Sequence, residues 1–135
     1  MSVLERPSIQ KAVSLLENRS FSHTSPTFTI ANLTGRVSEL SAPRNVPVLS
    51  FVSLLIREVQ LTNEPAVWVA VDPSIFFPPD FSANGVDLSA LPVVWAPHVR
   101  DAVRAVEHLL RSSAFTLVIV DLPPNTIIDQ GRLGK

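Results

Sequence analysis

Two aspartates follow apolar runs, and this placement could serve metal-assisted phosphate chemistry. Asp72 follows the apolar residues 66–71, and Asp121 follows the β-prone residues 116–120. An acid at the end of a buried strand can reach Mg²⁺ through a water molecule, as in enzymes that hydrolyse nucleoside triphosphates. The residue type alone favours a simpler role, because aspartate is common as a polar strand end or helix cap. Both interpretations stay open for Asp121.

A nucleotide site would also need a phosphate-binding loop, and the segment before the first long helix lacks its chemistry. Such a loop needs glycines whose N–H groups surround the phosphates, a lysine for the β- and γ-phosphates, and a hydroxyl for Mg²⁺. Residues 40–49 contain no glycine, and no lysine occurs between Lys11 and Lys135. Pro47 removes a further N–H group, and Arg44 would be an isolated charge. We therefore expect no catalytic residue, no cofactor and no ATP hydrolysis.

Large apolar side chains cluster after Asp72, around the pair Pro78 and Pro79. The members of this cluster are Ile75, Phe76, Phe77 and Phe81. They could cap the hydrophobic core, or they could form an exposed contact surface, since clustered surface aromatic residues mark partner sites. The two prolines would stiffen the loop and so lower the entropic cost of binding. The four residues are therefore a candidate partner contact, with core packing as the alternative.

Other chemistry finds little support in the composition. The chain has no cysteine, which excludes disulfides and thiolate zinc sites, and its three histidines lack the spacing of a metal motif. The net charge is −1, and the arginines Arg100, Arg104 and Arg111 alternate with acids on one predicted helix, so direct DNA binding is not expected. No apolar run is long enough to cross a membrane, and we expect a cytoplasmic protein.

The acids and the aromatic cluster need a sheet to position them, and four β-prone runs predict one. These runs predict strands at about residues 35–41, 66–72, 91–95 and 115–121. Apolar residues at helical spacing predict helices that begin near Pro47 and Pro97. Strands that alternate with helices indicate an α/β fold, with a mostly parallel sheet and helices on both faces.

The remaining segments complete this organisation. Residues 8–17 predict a short amphipathic helix and residues 20–27 a linker, which divides the chain into an N-terminal part, 1–26, and an α/β core, 27–135. Residues 73–90 are predicted to be irregular. On the first long helix, a narrow polar stripe is predicted from Ser50, Ser53, Arg57 and Gln60.

The order of these motifs resembles that of the bacterial RecA recombinases over residues 33–122. Residues 35–40, Gly-Arg-Val-Ser-Glu-Leu, resemble the Gly-Arg-Ile-Val-Glu-Ile strand that leads into the RecA phosphate-binding loop. Residues 41–49 then fill that loop at the same length, with Pro47, Val48 and Leu49 in place of the last glycine, the lysine and the hydroxyl residue. The degenerate loop positions are Pro43, Arg44, Asn45, Pro47, Val48 and Leu49.

Two further matches complete the RecA-like pattern. Residues 84–87, Asn-Gly-Val-Asp, are similar to a Leu-Gly-Val-Asp segment, and Asp121 falls on the magnesium-binding Walker-B aspartate. Pro73, beside Asp72, replaces the catalytic glutamate. The resemblance implies a strand order 1-4-3-2, in which residues 115–121 lie between the first and third strands. It also implies a core truncated after the Walker-B strand, with an uncovered side for a partner or a second copy.

Among RecA relatives without a working loop, the chain resembles the ImuA-type accessory proteins of damage-induced mutagenesis, and more loosely the SulA division inhibitors. Residues 121–124 and 131–134 carry the ImuA likeness. This resemblance implies a non-catalytic protein of the SOS response to DNA damage, which binds RecA or a translesion-synthesis polymerase complex. A SulA-like protein would instead bind FtsZ, and a residual nucleotide-binding ATPase is the third hypothesis.

Overall fold

The structure, a computed structural model, describes residues 29–41 and 47–129. Within these ranges, helices and strands follow one another along the chain. They are α1 (Val48–Leu61), β1 (Ala66–Val71), α2 (Pro78–Ala83), β2 (Val93–Ala96), α3 (Val99–Ser112) and β3 (Leu117–Asp121). Two short 3-10 helices, Ile30–Asn32 and Leu88–Ala90, complete the set. The predicted helix at residues 8–17 and the linker at 20–27 lie outside the described residues.

The three strands form one sheet in which β1 lies between β2 and β3. Both neighbours run parallel to β1, and Ala70 pairs with Trp95 on one side and with Asp121 on the other. The predicted α/β fold with a parallel sheet is therefore confirmed. The predicted strand order is wrong, because β3 pairs with β1 and not with β2. All six side chains of β1 are buried, as expected for a continuously apolar strand at the centre of a covered sheet.

The first predicted strand is not a strand. Residues 36–40 have no regular secondary structure and are exposed, and Val37 and Leu40 are each 50% exposed. Side chains alternate between the two faces of a strand, so residues three apart point to opposite sides. Val37 and Leu40 therefore cannot form one apolar face, and pairing this segment into the sheet would bury little.

Helices cover both faces of β1, as the sequence predicts. On one face, Ile56 and Val59 of α1 pack with Trp68 and with Phe81 of α2. On the other face, α3 packs against the odd-numbered residues of β1 with Ala102 and Val106 among its buried side chains. None of the helices in the described ranges has the length and apolar character needed to cross a bilayer.

Two local predictions need correction. Ser53 was expected on a polar stripe of α1 but is fully buried. Its hydroxyl donates to the backbone oxygen of Ser50 at 2.8 Å, so the helix itself satisfies the polar group. Residues 73–90 are not wholly irregular, because α2 begins at Pro78, where the fixed φ of proline suits a first helical turn and its missing N–H is not needed.

Candidate functional site

The carboxyl edge of the sheet brings the two predicted aspartates to neighbouring strand ends. Asp121 ends β3 opposite Ala70, and Asp72 directly follows Val71 at the end of β1. Asp72 is exposed, whereas Asp121 is half-buried. The parallel arrangement of β1 and β3 therefore places both carboxyl groups where ligands of α/β sheets bind, but in different surroundings.

The carboxylate of Asp121 holds the loop that follows β1. Its Oδ2 atom accepts hydrogen bonds from the Ser74 hydroxyl at 2.6 Å and from the Ile75 N–H at 2.7 Å. The Ser74 hydroxyl oxygen in turn accepts from the Phe76 N–H at 3.0 Å. Burial raises the pKa of Asp121 above its usual value, and the two hydrogen bonds oppose this change. Asp121 thus fastens residues 74–76 over the end of β3.

The residues at the phosphate-loop positions give α1 an apolar beginning. Pro47 is exposed and directly precedes the helix, while Val48 and Leu49 are half-buried and pack against the core. Pro43, Arg44 and Asn45 lie outside the described residues. The first turn of α1 therefore presents neither a cation nor a hydroxyl at Val48 and Leu49, the two positions that the resemblance assigns to the lysine and the magnesium ligand. No group of three or more acids and histidines is placed to hold a metal ion in the described ranges.

The aromatic cluster divides between the core and the surface. Phe81 is fully buried and Phe76 is half-buried, with ring centroids 4.9 Å apart. Trp68 lies against both rings, 5.2 Å from Phe81 and 5.6 Å from Phe76. Such aromatic pairs add about 0.5–1.5 kcal/mol beyond their buried area. Phe81 and Phe76 therefore pack with the core, whereas Ile75 and Phe77 are 48% and 54% exposed and stay a candidate partner contact.

One exposed aromatic residue at this edge was not predicted from the sequence. Trp95 on β2 is 56% exposed, and its ring meets that of Phe76 edge-on with centroids 6.3 Å apart. The only signal was a tryptophan within a short apolar strand, and this does not distinguish a central strand from an edge strand. Ile75 and Phe77 are the chain neighbours of Phe76, so the three large exposed side chains belong to residues that adjoin Phe76, either along the chain or through the ring contact. We call Ile75, Phe77 and Trp95 the exposed apolar patch.

The opposite, amino edge of the sheet carries a groove of about 480 Å³ next to the C-terminal half of α1. The Gln60 side chain both donates to the Asp87 backbone oxygen and accepts from its N–H, each at 2.9 Å. Hydrogen bonds from Ser89 hold the pKa of Asp87 below its usual value. Residues 84–87 connect α2 to the 3-10 helix at Leu88–Ala90, and Gln60 holds this connection through the Asp87 backbone.

No protein-family model matches this chain, and no curated protein is significantly similar to it in sequence. What the molecule does must therefore be inferred from its own residues and their geometry.

Proposed function

We propose that this protein is a non-catalytic binding module that acts in the cytoplasm by contacting another protein. The observation that carries this proposal is the exposed apolar patch, where Trp95 contacts the Phe76 ring and the two chain neighbours of Phe76 are, like Trp95, each about half exposed. Covering apolar surface is worth about 25 cal/mol per Å², and clustered exposed apolar side chains are typical of partner sites. Aromatic residues are also enriched among those that dominate binding energy.

The carboxyl edge supports a role without nucleotide hydrolysis. Oδ2 of Asp121 accepts from two protein donors, so this carboxylate already serves to hold the loop that follows β1. Val48 and Leu49 pack into the core where a nucleotide-binding loop would present a lysine and a hydroxyl. A triphosphate at this edge would therefore lack the main charges that stabilise it. We infer that the chain is not an ATPase.

The RecA and ImuA resemblance suggests the partner class. We propose that the partner belongs to the DNA-damage response and is RecA or a translesion polymerase complex. The test measures binding of each purified partner to the wild-type chain, to Phe77→Ala and to Leu61→Ala. Leu61 is the matched control because it is 71% exposed but lies at the end of α1, beside the amino-edge groove.

We expect Phe77→Ala to weaken binding and Leu61→Ala to leave it unchanged. Binding to FtsZ in place of both partners would replace this proposal with a division inhibitor, and binding to none of the three would contradict the partner class. Calorimetry with Mg-ATP tests the non-catalytic part. A dissociation constant in the micromolar range that is lost in Asp121→Ala would show that the edge is a nucleotide site.

A further inference from the structure

We propose that the exposed apolar patch binds a basic segment of the partner, one that places arginine or lysine side chains beside apolar anchors. This inference rests on the proposed function, because it specifies the chemistry of a protein that contacts Ile75, Phe77 and Trp95. Its grounds are the one-sided charge of this part of the chain and the position of that charge relative to the patch.

The chain segment that contains the patch carries only acidic charges over a long stretch of sequence. The whole chain is nearly balanced, with 11 lysines and arginines against 12 acids, yet residues 58–97 contain no lysine, arginine or histidine. The acids of that stretch are Glu58, Glu64, Asp72, Asp80 and Asp87. All three patch residues lie within this acidic stretch, between residues 72 and 97.

Two of these acids flank the patch directly. Asp72 is exposed and precedes Ile75 by three residues, and Asp80 is exposed in the first turn of α2. The Asp80 N–H donates to the Phe77 backbone oxygen at 3.1 Å, so Asp80 lies one helical turn beyond Phe77 along the backbone. Together they place a negative charge on each side of the exposed segment that carries Ile75 and Phe77.

The other acids of the stretch serve contacts away from the patch. The Glu58 carboxylate accepts from the Ile30 N–H at 3.2 and 3.3 Å, and Glu64 accepts from the Thr116 hydroxyl at 2.7 Å. Asp87 accepts from Ser89 near the amino-edge groove. The acids next to the patch thus remain available to a partner, while the more distant ones hold the fold.

Three basic residues border this stretch closely, and they are Arg57, His98 and Arg100. Arg57 lies against Gly85 beside the amino-edge groove. Arg100 is on α3, which packs on the face of β1 opposite Trp68 and Phe76, and its Nε lies 4.0 Å from Asp101. His98 is exposed directly before α3. Neither Asp72 nor Asp80 forms an ion pair within the described residues.

A basic, apolar-anchored segment matches both parts of this surface. The apolar anchors would cover Ile75 and Phe77, and the cations would reach the two carboxylates. An arginine could also stack over the exposed Trp95 ring, where cation–π attraction acts within about 6 Å. Complementary charge of this kind steers association and selects among partners. An acidic partner, including nucleic acid, would be repelled.

The test uses the full chain and three short synthetic peptides. The first carries leucine and arginine at helical spacing, the second carries leucine and glutamate, and the third carries serine and arginine. Binding is measured by calorimetry and by tryptophan fluorescence, in which the exposed Trp95 responds while the buried Trp68 supplies a constant background. We expect only the leucine–arginine peptide to bind, and Trp95→Ala or Phe77→Ala to weaken it at least about tenfold.

The charges are tested by the double variant Asp72→Asn/Asp80→Asn. We expect the double variant to bind the leucine–arginine peptide more weakly than the wild type does. The affinity of the wild type should fall between about 0.05 and about 0.5 M NaCl, whereas that of the double variant should change much less. Leu61→Ala should bind like the wild type, and thermal melts verify that each variant is folded.

The inference fails if the leucine–glutamate peptide binds equally well, or if the double variant keeps full affinity. It also fails if sedimentation shows a self-association that Trp95→Ala abolishes, because the occupant is then a second copy. In the first two cases Phe77→Ala should still weaken binding to the purified partner, so the proposed function would survive. A wild-type chain that binds the leucine–arginine peptide but none of the purified partners would support the surface chemistry and remove the partner class.

Discussion

The two edges of the sheet differ in how they expose large apolar side chains. At the carboxyl edge, the Trp95 ring contacts that of Phe76, and Ile75 and Phe77 are the exposed chain neighbours of Phe76. At the amino edge, Leu61 is more exposed than any of them, at 71%, but it stands among the polar residues that line the groove. A single exposed leucine is ordinary in a folded protein, whereas a cluster requires an explanation. Clustering, and not exposure alone, therefore marks the carboxyl edge.

The edges also differ in the polar groups that hold their connections. Gln60 fixes the Asp87 backbone with an amide that cannot ionise. Asp121 fixes Ser74 and Ile75 with a carboxyl group that can. The contact between Gln60 and Asp87 should therefore not depend on the protonation of the Gln60 side chain. The hydrogen bonds from Ser74 and Ile75 to Asp121 should depend on pH.

The largest effect is expected within the carboxyl edge itself, at its buried ring. Phe81→Ala should lower the free energy of unfolding by about 3–5 kcal/mol, because the phenyl ring is fully buried against Trp68 and Phe76. Urea denaturation measures this loss. A change as small as that of a surface substitution would remove the distinction between the packed and exposed aromatic residues of this edge.

A smaller effect is expected at the amino edge. Gly85 has a φ of 82°, and a Cβ atom there would lie 3.1 Å from Arg57 Nε. Gly85→Ala should cost roughly 1–2 kcal/mol from the left-handed backbone alone, again measured by urea denaturation. Gly35→Ala is the matched control, since Gly35 has a φ of 70° and nothing within 4 Å of its added Cβ. Equal costs would mean that the Arg57 contact adds nothing.

Asp121→Asn should be mild near neutral pH, because the amide oxygen can still accept from Ser74 and Ile75. Its effect should depend on pH with a defined sign. Since burial raises the pKa of Asp121 above 3.8 in the folded protein, the folded state binds this proton more tightly than the unfolded state. The resulting stabilisation of the folded state is complete below pH 3.8, and it is lost as the pH rises through the pKa of Asp121 in the folded protein.

Unfolding free energies of the wild type and Asp121→Asn, measured from about pH 4 to about pH 8, test this sign. The wild type should gain stability relative to the variant as the solution is acidified. The reverse trend would show that the hydrogen bonds from Ser74 and Ile75 outweigh burial, and would make Asp121 a stabilising anion.

The smallest effect on stability is expected at the patch. Phe77→Ala should change the free energy of unfolding by no more than about 0.5 kcal/mol, because its side chain is 54% exposed. The same variant should weaken partner binding. A loss of several kcal/mol in a thermal or urea melt would assign Phe77 to the core and reduce the patch to Ile75 and Trp95.

Sequence patterns predicted the elements that bury continuous apolar surface. Residues 66–71 are apolar throughout and form the central strand. The helices α1 and α3 begin close to Pro47 and Pro97, as predicted. The pattern failed at residues 35–40, where Val37 and Leu40 are three apart and cannot share a strand face. It also failed for the strand order, because which strand becomes central depends on long-range packing that local patterns do not encode.

The sequence predicted where the residues of the carboxyl edge lie, but not which groups they contact. Placement after apolar runs located Asp72 and Asp121 at the correct edge, yet only the folded loop shows that Ser74 and Ile75 donate to Asp121. Likewise, the aromatic cluster was evident, but its division into the buried Phe81 and the exposed Phe77 required α2 to form. Trp95 was missed because exposure at a sheet edge is a property of the assembled sheet.

The hydrogen bond between Ser74 and Asp121 joins groups 47 residues apart in the chain. A contact of such long sequence separation forms only after the intervening chain has been closed into a loop, at an entropic cost. If this contact is absent from the transition state for folding, its loss speeds unfolding and leaves the folding rate nearly unchanged. The Asp121 carboxylate would then slow unfolding, and so determine how long residues 74–76 stay in place once the sheet has formed.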